Sequence, residues 1–136
     1  MYLLDTNIIS ETIKKAPNQK VITWLSSIDS QKLFLSVITL GEIRKGVEKL
    51  EDQTKKQKIT QWLEINLVAG FYGRIINIDA TISDKWGYIS SLKNIPAIDA
   101  LIAASALVHN HKLVTRNVKD FEAIAGLELI NPWEID

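Results

Sequence analysis

The sequence predicts an α/β fold, with a central parallel β-sheet flanked by α-helices in a single domain over residues 1–136. Three observations predict it. Short apolar runs of strand length alternate with stretches of helical periodicity. The 136 residues suit one domain around one hydrophobic core. Apolar residues make up 46% and charged residues 24%, an ordinary globular composition that excludes disorder.

The elements follow in order. Tyr2–Leu4 is a short buried strand ended by Asp5-Thr6-Asn7. Ile8–Lys15 is helical until Pro17 stops it. Lys20–Ser27 places Val21, Trp24, Leu25 and Ile28 on one helical face. Lys32–Val37 is the next strand. A helix from Thr39 buries Leu40, Ile43, Val47 and Leu50, and a second over Gln53–Val68 buries Ile59, Trp62, Leu63 and Leu67 before Gly70. Arg74–Ile78 is a strand, after which Asp79 caps a helix built on Ile82, Trp86 and Ile89. Pro96 opens the apolar helix Ile98–His109. Lys112–Thr115 is a strand, Val118–Ala125 a short helix and Leu127–Ile130 an edge strand, with Asn131-Pro132-Trp133 closing the fold.

Several chemistries are excluded at once. Without cysteine there are no disulfides, thiolate metal sites or cysteine nucleophiles. A Gly-rich phosphate loop, a Gly-x-Ser-x-Gly elbow and a His-Glu-x-x-His pair are all missing. His109 and His111 fall at a helix end, where histidine meets the dipole favourably. The N-terminus has no basic region and reaches a carboxylate at Asp5, unlike a signal peptide. The weakly charged run 95–108 is shorter than the roughly 20 residues a membrane span needs. A cytoplasmic protein without membrane contact is expected. Sixteen basic and sixteen acidic residues give zero net charge, which argues against indiscriminate coating of nucleic acid. A local basic cluster runs from Arg44 and Lys45 to Lys58. It is either a solvated helix face or a phosphate-contacting patch.

Four acids draw attention. Asp99 is the only charged residue between Ile95 and Val108, and an unpaired buried carboxylate is costly. The macrodipole of a helix start would also favour it there. Glu42 fits a capping box with Thr39, as the N3 glutamate. Asp5 follows an apolar strand, where parallel sheets place ligand-binding groups, yet it could also cap the next helix. Asp120 could decorate a helix start. What they share is a position just after a predicted strand or in the first turn of the helix that follows one. Such positions converge beyond the carboxyl ends of a parallel sheet. Four carboxylates gathered there would repel unless a cation neutralised them, and oxygen-only ligands point to Mg²⁺ or Mn²⁺.

Ordered motifs add a resemblance. The opening Leu3-Leu4-Asp5-Thr6-Asn7, the block from Ser36 through Thr39 and Glu42 to Arg44 and Gly46, Ile98-Asp99-Ala100, and Thr115-Arg116-Asn117 followed by Asp120-Phe121 occur in the order found in one family. With Asn131-Pro132-Trp133, the chain resembles the PIN-domain ribonuclease toxins called VapC. The resemblance implies a PIN-like fold and an acidic set of Asp5, Glu42, Asp99 and Asp120 around Mg²⁺ or Mn²⁺. Asp5 and Asp99 would be direct ligands, with Glu42 and Asp120 binding directly or through water. It implies supporting roles for Thr6, Asn7, Thr115 and Asn117, while Arg44, Lys45 and Arg116 are candidate RNA contacts. It further implies an endoribonuclease acting on structured RNA, with tRNA favoured and initiator tRNA the named example, in a bacterial cytoplasm. A homodimer is expected, restrained by a cognate antitoxin whose tail enters the active-site groove. Two alternatives stand beside this. One is a non-catalytic PIN-like module that binds RNA or protein. The other is a different Mg²⁺-dependent phosphotransfer enzyme such as a phosphatase, whose aspartyl-nucleophile version usually needs a second aspartate where this chain has Asn7.

Overall fold

A computed structural model describes residues 1–135. Five strands form one all-parallel sheet: β1 (Tyr2–Leu4), β2 (Leu33–Ser36), β3 (Ile75–Ile76), β4 (Lys112–Val114) and β5 (Leu129–Ile130). Their order is β3-β2-β1-β4-β5. The chain therefore builds outward from β1 in one direction and returns to add β4 on its other side. That makes the gap between the carboxyl ends of β1 and β4 a topological switch point, where α/β sheets open a crevice.

Successive strand residues face opposite ways, and the apolar pattern uses both faces. Leu3, Phe34, Ile76 and Leu113 pack into a core with α6 (Ala80–Leu92) and α7 (Ala97–Val108). Leu4, Leu35 and Val114 pack into a second core with α1 (Thr6–Thr12), α2 (Gln19–Ser27) and α3 (Val37–Glu48). Leu3 and Leu4 are both almost fully buried, each stabilising the fold by roughly 2 kcal/mol. The small side chains Ala100, Ala103, Ala104 and Ala106 belong to the first core, so α7 lies close against the sheet.

Several boundaries differ from the sequence reading, for physical reasons. The first helix ends at Thr12, before Pro17, with Ile13 as its C-cap. Helix α3 starts at Val37 because the Ser36 hydroxyl accepts a hydrogen bond from the Ile38 N–H at 3.1 Å. Val37 thus leaves the strand, and Thr39 is a buried residue inside the helix instead of its cap. Leu40 and Leu50 are half-buried. The long helix after Asp52 is α-helical over α4 (Gln53–Gln61), widens to a π-helix over Trp62–Leu67, and closes with α5 (Val68–Gly70). No proline or glycine in Trp62–Leu67 signals that widening. Strands β3 and β5 are two residues each, and α8 spans only Val118–Phe121.

The histidines also differ. His109 is the exposed C-cap of α7. His111 instead packs against Phe34, with ring centroids 4.6 Å apart. Burial, the Met1 amino group and His109 push its imidazole down to about 4, so it is neutral at pH 7 and makes no charge–dipole contact. Trp24 and Trp62 pack against one core and Trp86 against the other.

Candidate active site

Asp5 stands where β1 ends, at the switch point. Its extended backbone makes it the N-cap of α1, and its Oδ1 accepts the Thr6 N–H at 2.8 Å. Its Oδ2 accepts the Thr115 hydroxyl at 2.8 Å and the Asn7 amide at 3.5 Å. Thr115 lies one residue past β4 and is fully buried, so this bond spans the crevice between the two strand ends. Burial raises the Asp5 carboxyl above its ordinary range, against the lowering effect of the Thr115 and Thr6 bonds; Glu42 and Asp99 raise it further.

Glu42 reaches the same place from α3. Its Oε1 accepts the Thr6 hydroxyl at 2.6 Å. The Thr6 and Thr39 hydroxyls are 3.2 Å apart. The capping box is thus overturned, since Glu42 is a second-turn residue whose oxygen points to α1. Asp99 is in the first turn of α7. It follows another helix, not a strand as the sequence suggested. It reaches the crevice because α7 turns back at Asn110 directly into β4 and so runs antiparallel to it. Pro96, the N-cap of α7, has no N–H for a capping box, leaving Asp99 free for other duties. Burial, Asp120 and Glu42, in that order, raise the Asp99 carboxyl.

Asp5, Glu42 and Asp99 line one open pocket of about 370 Å³. Asp120 is exposed on α8 outside that lining, though near enough to act on Asp99. Among the described residues, no three acidic or histidine side chains form a ready-made metal cage. The donor set still fits a hard divalent cation. Mg²⁺ keeps most of its water and needs only one or two carboxylates, and Asp5 and Asp99 are both raised in part by neighbouring carboxylates, Glu42 acting on each.

The PIN domain model matches residues 2–127. The chain belongs to the PIN-domain family. Within it, this protein is 38% identical over 138 residues to the Neisseria gonorrhoeae protein named toxin FitB, covering 98% of this chain and 99% of that one. The tRNA(fMet)-specific endonuclease VapC of Shigella flexneri is 30% identical, with 93% of each chain covered. Among solved structures, FitAcB from Neisseria gonorrhoeae superposes with a TM-score of 0.92 at 37% identity, over 99% of this chain and 100% of that one. A chain of a toxin–antitoxin complex from Klebsiella pneumoniae gives 0.73 at 28% identity, over 99% of this chain and 100% of that one.

In this PIN domain the polar residues of the motifs form one connected set. Asn7 gives its amide to Thr115 at 3.4 Å and accepts the Arg116 backbone N–H at 3.3 Å. The Asn117 N–H donates to the Thr115 hydroxyl at 3.0 Å. Arg116 and Asn117 line the pocket with Thr6 and Asn7. Arg44 and Lys45 do not. Arg44 is ion-paired with Glu64 at 2.6 Å and Glu48 at 3.6 Å, and Lys56 reaches Glu48 at 3.1 Å. That part of the basic cluster is neutralised within its own helices, and Lys45 is solvent-exposed. Trp133 lines the pocket as well as packing on a core. Glu11, Lys14 and Ser10 also line it, unforeseen from the sequence. Glu11 is buried, with its carboxylate accepting the Asn18 N–H from seven residues on, a contact that leaves no local sequence pattern.

Proposed function

We propose that this PIN-domain protein is a Mg²⁺- or Mn²⁺-dependent endoribonuclease, the toxin of a toxin–antitoxin pair, acting on a structured RNA with tRNA as the favoured class. The observation that carries the reading is the meeting of Asp5, Glu42 and Asp99 in one pocket at the switch point. In this reading Asp5 and Asp99 hold the ion directly, while Glu42 and Asp120 complete its surroundings directly or through water. A bound divalent ion would supply Lewis acidity and charge neutralisation for hydrolysis of a phosphodiester. The protein's own contribution is orientation. Thr115, Thr6 and Asn7 bond Asp5 from two strand ends and so keep its oxygens fixed toward the pocket.

The relatives support the biological side of the proposal. One is named a tRNA(fMet)-specific endonuclease, which favours tRNA here, and a structural neighbour is a toxin–antitoxin complex, which favours a cognate inhibitory partner. No helix among the described residues is long and apolar enough to cross a membrane. Action in the cytoplasm beside the RNA is part of the proposal. A homodimer, with the antitoxin tail laid in the pocket, belongs to the same proposal.

The test incubates wild type, Asp5→Asn and Asp99→Asn with total bacterial RNA, with Mg²⁺ or with EDTA, and maps new 5′ ends. Discrete cleavage by wild type alone, lost in EDTA, is expected. RNA retained on the protein but uncut under every condition would replace the enzyme with a binding module.

A further inference from the structure

The pocket carries more negative than positive charge. Asp5, Glu11, Glu42 and Asp99 line it against Lys14 and Arg116. An RNA phosphate approaching that surface needs cationic help, and both cations are held in place. Glu11 is 5% exposed; its Oε1 accepts Lys14 Nζ at 2.8 Å and its Oε2 accepts the Asn18 N–H at 2.9 Å. The carboxylate therefore staples the turn between α1 and α2 and fixes where the Lys14 ammonium stands. Lys14 remains 56% exposed, so two of its three donors are open to a ligand.

Arg116 is fixed differently. Its N–H donates to Asn7, its carbonyl accepts the Asn131 amide at 3.3 Å, and its guanidinium lies 5.1 Å over the Trp133 ring. Although four carboxylates share its pocket, Arg116 makes no ion pair among the described residues. Stacking on indole orients the guanidinium and leaves its five donors available. A cation–π contact on a solvent-exposed guanidinium adds little to stability and leaves Arg116 available to a ligand, while the buried Glu11 carboxylate both secures the turn and sets where the exposed Lys14 ammonium stands.

Building on the ribonuclease reading, we propose that Lys14 and Arg116 form a phosphate clamp for the RNA backbone beside the acidic centre. Glu11 and Trp133 are its positioning residues. The clamp grips phosphates flanking the one that is cut, and it sets substrate binding without joining the chemistry.

Salt-dependent binding tests this. Fluorescein-labelled bulk bacterial tRNA is titrated with Asp5→Asn protein, which cannot cut it, alone or combined with Lys14→Met, Arg116→Met, Glu11→Gln or Lys112→Met. Each clamp substitution should lower the slope of log affinity against log salt by about 0.7 to 0.9, the share of one phosphate contact. Lys112→Met, at the opposite sheet edge, should leave the slope unchanged. In the cleaving protein Lys14→Met and Arg116→Met should raise KM and spare kcat. If Glu11→Gln unfolds, the two exposed cations decide the matter. Unchanged slopes for both, in protein whose Asp5 form cleaves RNA, overturn the clamp alone. Failure of that form to bind or cut any RNA overturns the ribonuclease reading and the clamp together.

Discussion

The two edges of the sheet each draw a titratable group out of water, and they treat it in opposite ways. At the carboxyl edge Asp5 is only 8% exposed, yet an N–H, a hydroxyl and an amide all point donors at its oxygens. At the amino edge the buried Nδ1 of His111 has no partner, and its ring packs on Phe34. Desolvation alone would favour the neutral form of both groups. The donors around Asp5 work against that preference, and nothing at His111 does. Burial of an ionisable group therefore does not mark a site. Investment in keeping it charged does.

The sharpest way to break this contrast is to remove a charge from the carboxyl edge. Asp99→Asn should lower RNA cleavage by more than about a hundredfold, as loss of a ligand costing several kcal/mol requires. The same substitution should not destabilise the metal-free protein. Asp99 titrates above its ordinary value in the fold. The folded state then holds the proton more tightly than the unfolded one, so stability falls as pH rises through that window. The neutral asparagine escapes this cost, and the metal-free variant should melt at or above the wild-type temperature at pH 7. A lower melting temperature would mean that Asp99 is a structural helix acid.

Thr115→Val keeps the shape of the side chain and deletes the donor that crosses from β4 to Asp5. Activity and Mg²⁺ affinity should fall by about 10- to 100-fold, the usual scale for a partner of a metal ligand. Next in size, Mg²⁺ should raise the wild-type melting temperature at pH 7 through binding to the native state alone. An Asp5→Asn, Asp99→Asn double variant should show no such rise. A rise retained in the double variant would put the ion elsewhere.

The smallest effect concerns the amino edge. His111 titrates at about 4 in the fold against an ordinary 6.5. The unfolded chain takes the proton first, so this contribution is complete above pH 6.5 and is lost as pH falls toward 4. Melting temperatures of His111→Phe should fall less steeply than wild type across that window, with RNA cleavage at pH 7 unchanged.

Much of the architecture was legible because its signals are local. The pairs Leu3-Leu4 and Leu113-Val114, apolar and adjacent, mark strands buried on both faces, and such strands belong to parallel sheets. Asp5 was legible as a strand-end acid and Asp99 as the one charge in an apolar helix. Ser36 was not recognised as the cap of α3, since Thr39 with Glu42 offered an equally good local pattern. Choosing between them takes Thr6, which is distant in sequence and draws Glu42 away. The same holds for Arg44, whose partner Glu64 lies twenty residues on.

By itself the sequence determined the fold class and the approximate strand segments and singled out Asp99 as the one charge in an apolar helix, since hydrophobic period and the cost of burying charge act over a few residues. Only the tertiary structure decided which acids share a pocket, which cations stand beside them and which histidine stays neutral. Those outcomes depend on strand order and on the turn of α7 into β4. They bring together atoms that no short-range rule connects, and at a separation of a few ångströms that proximity sets both the hydrogen bonding and the charge.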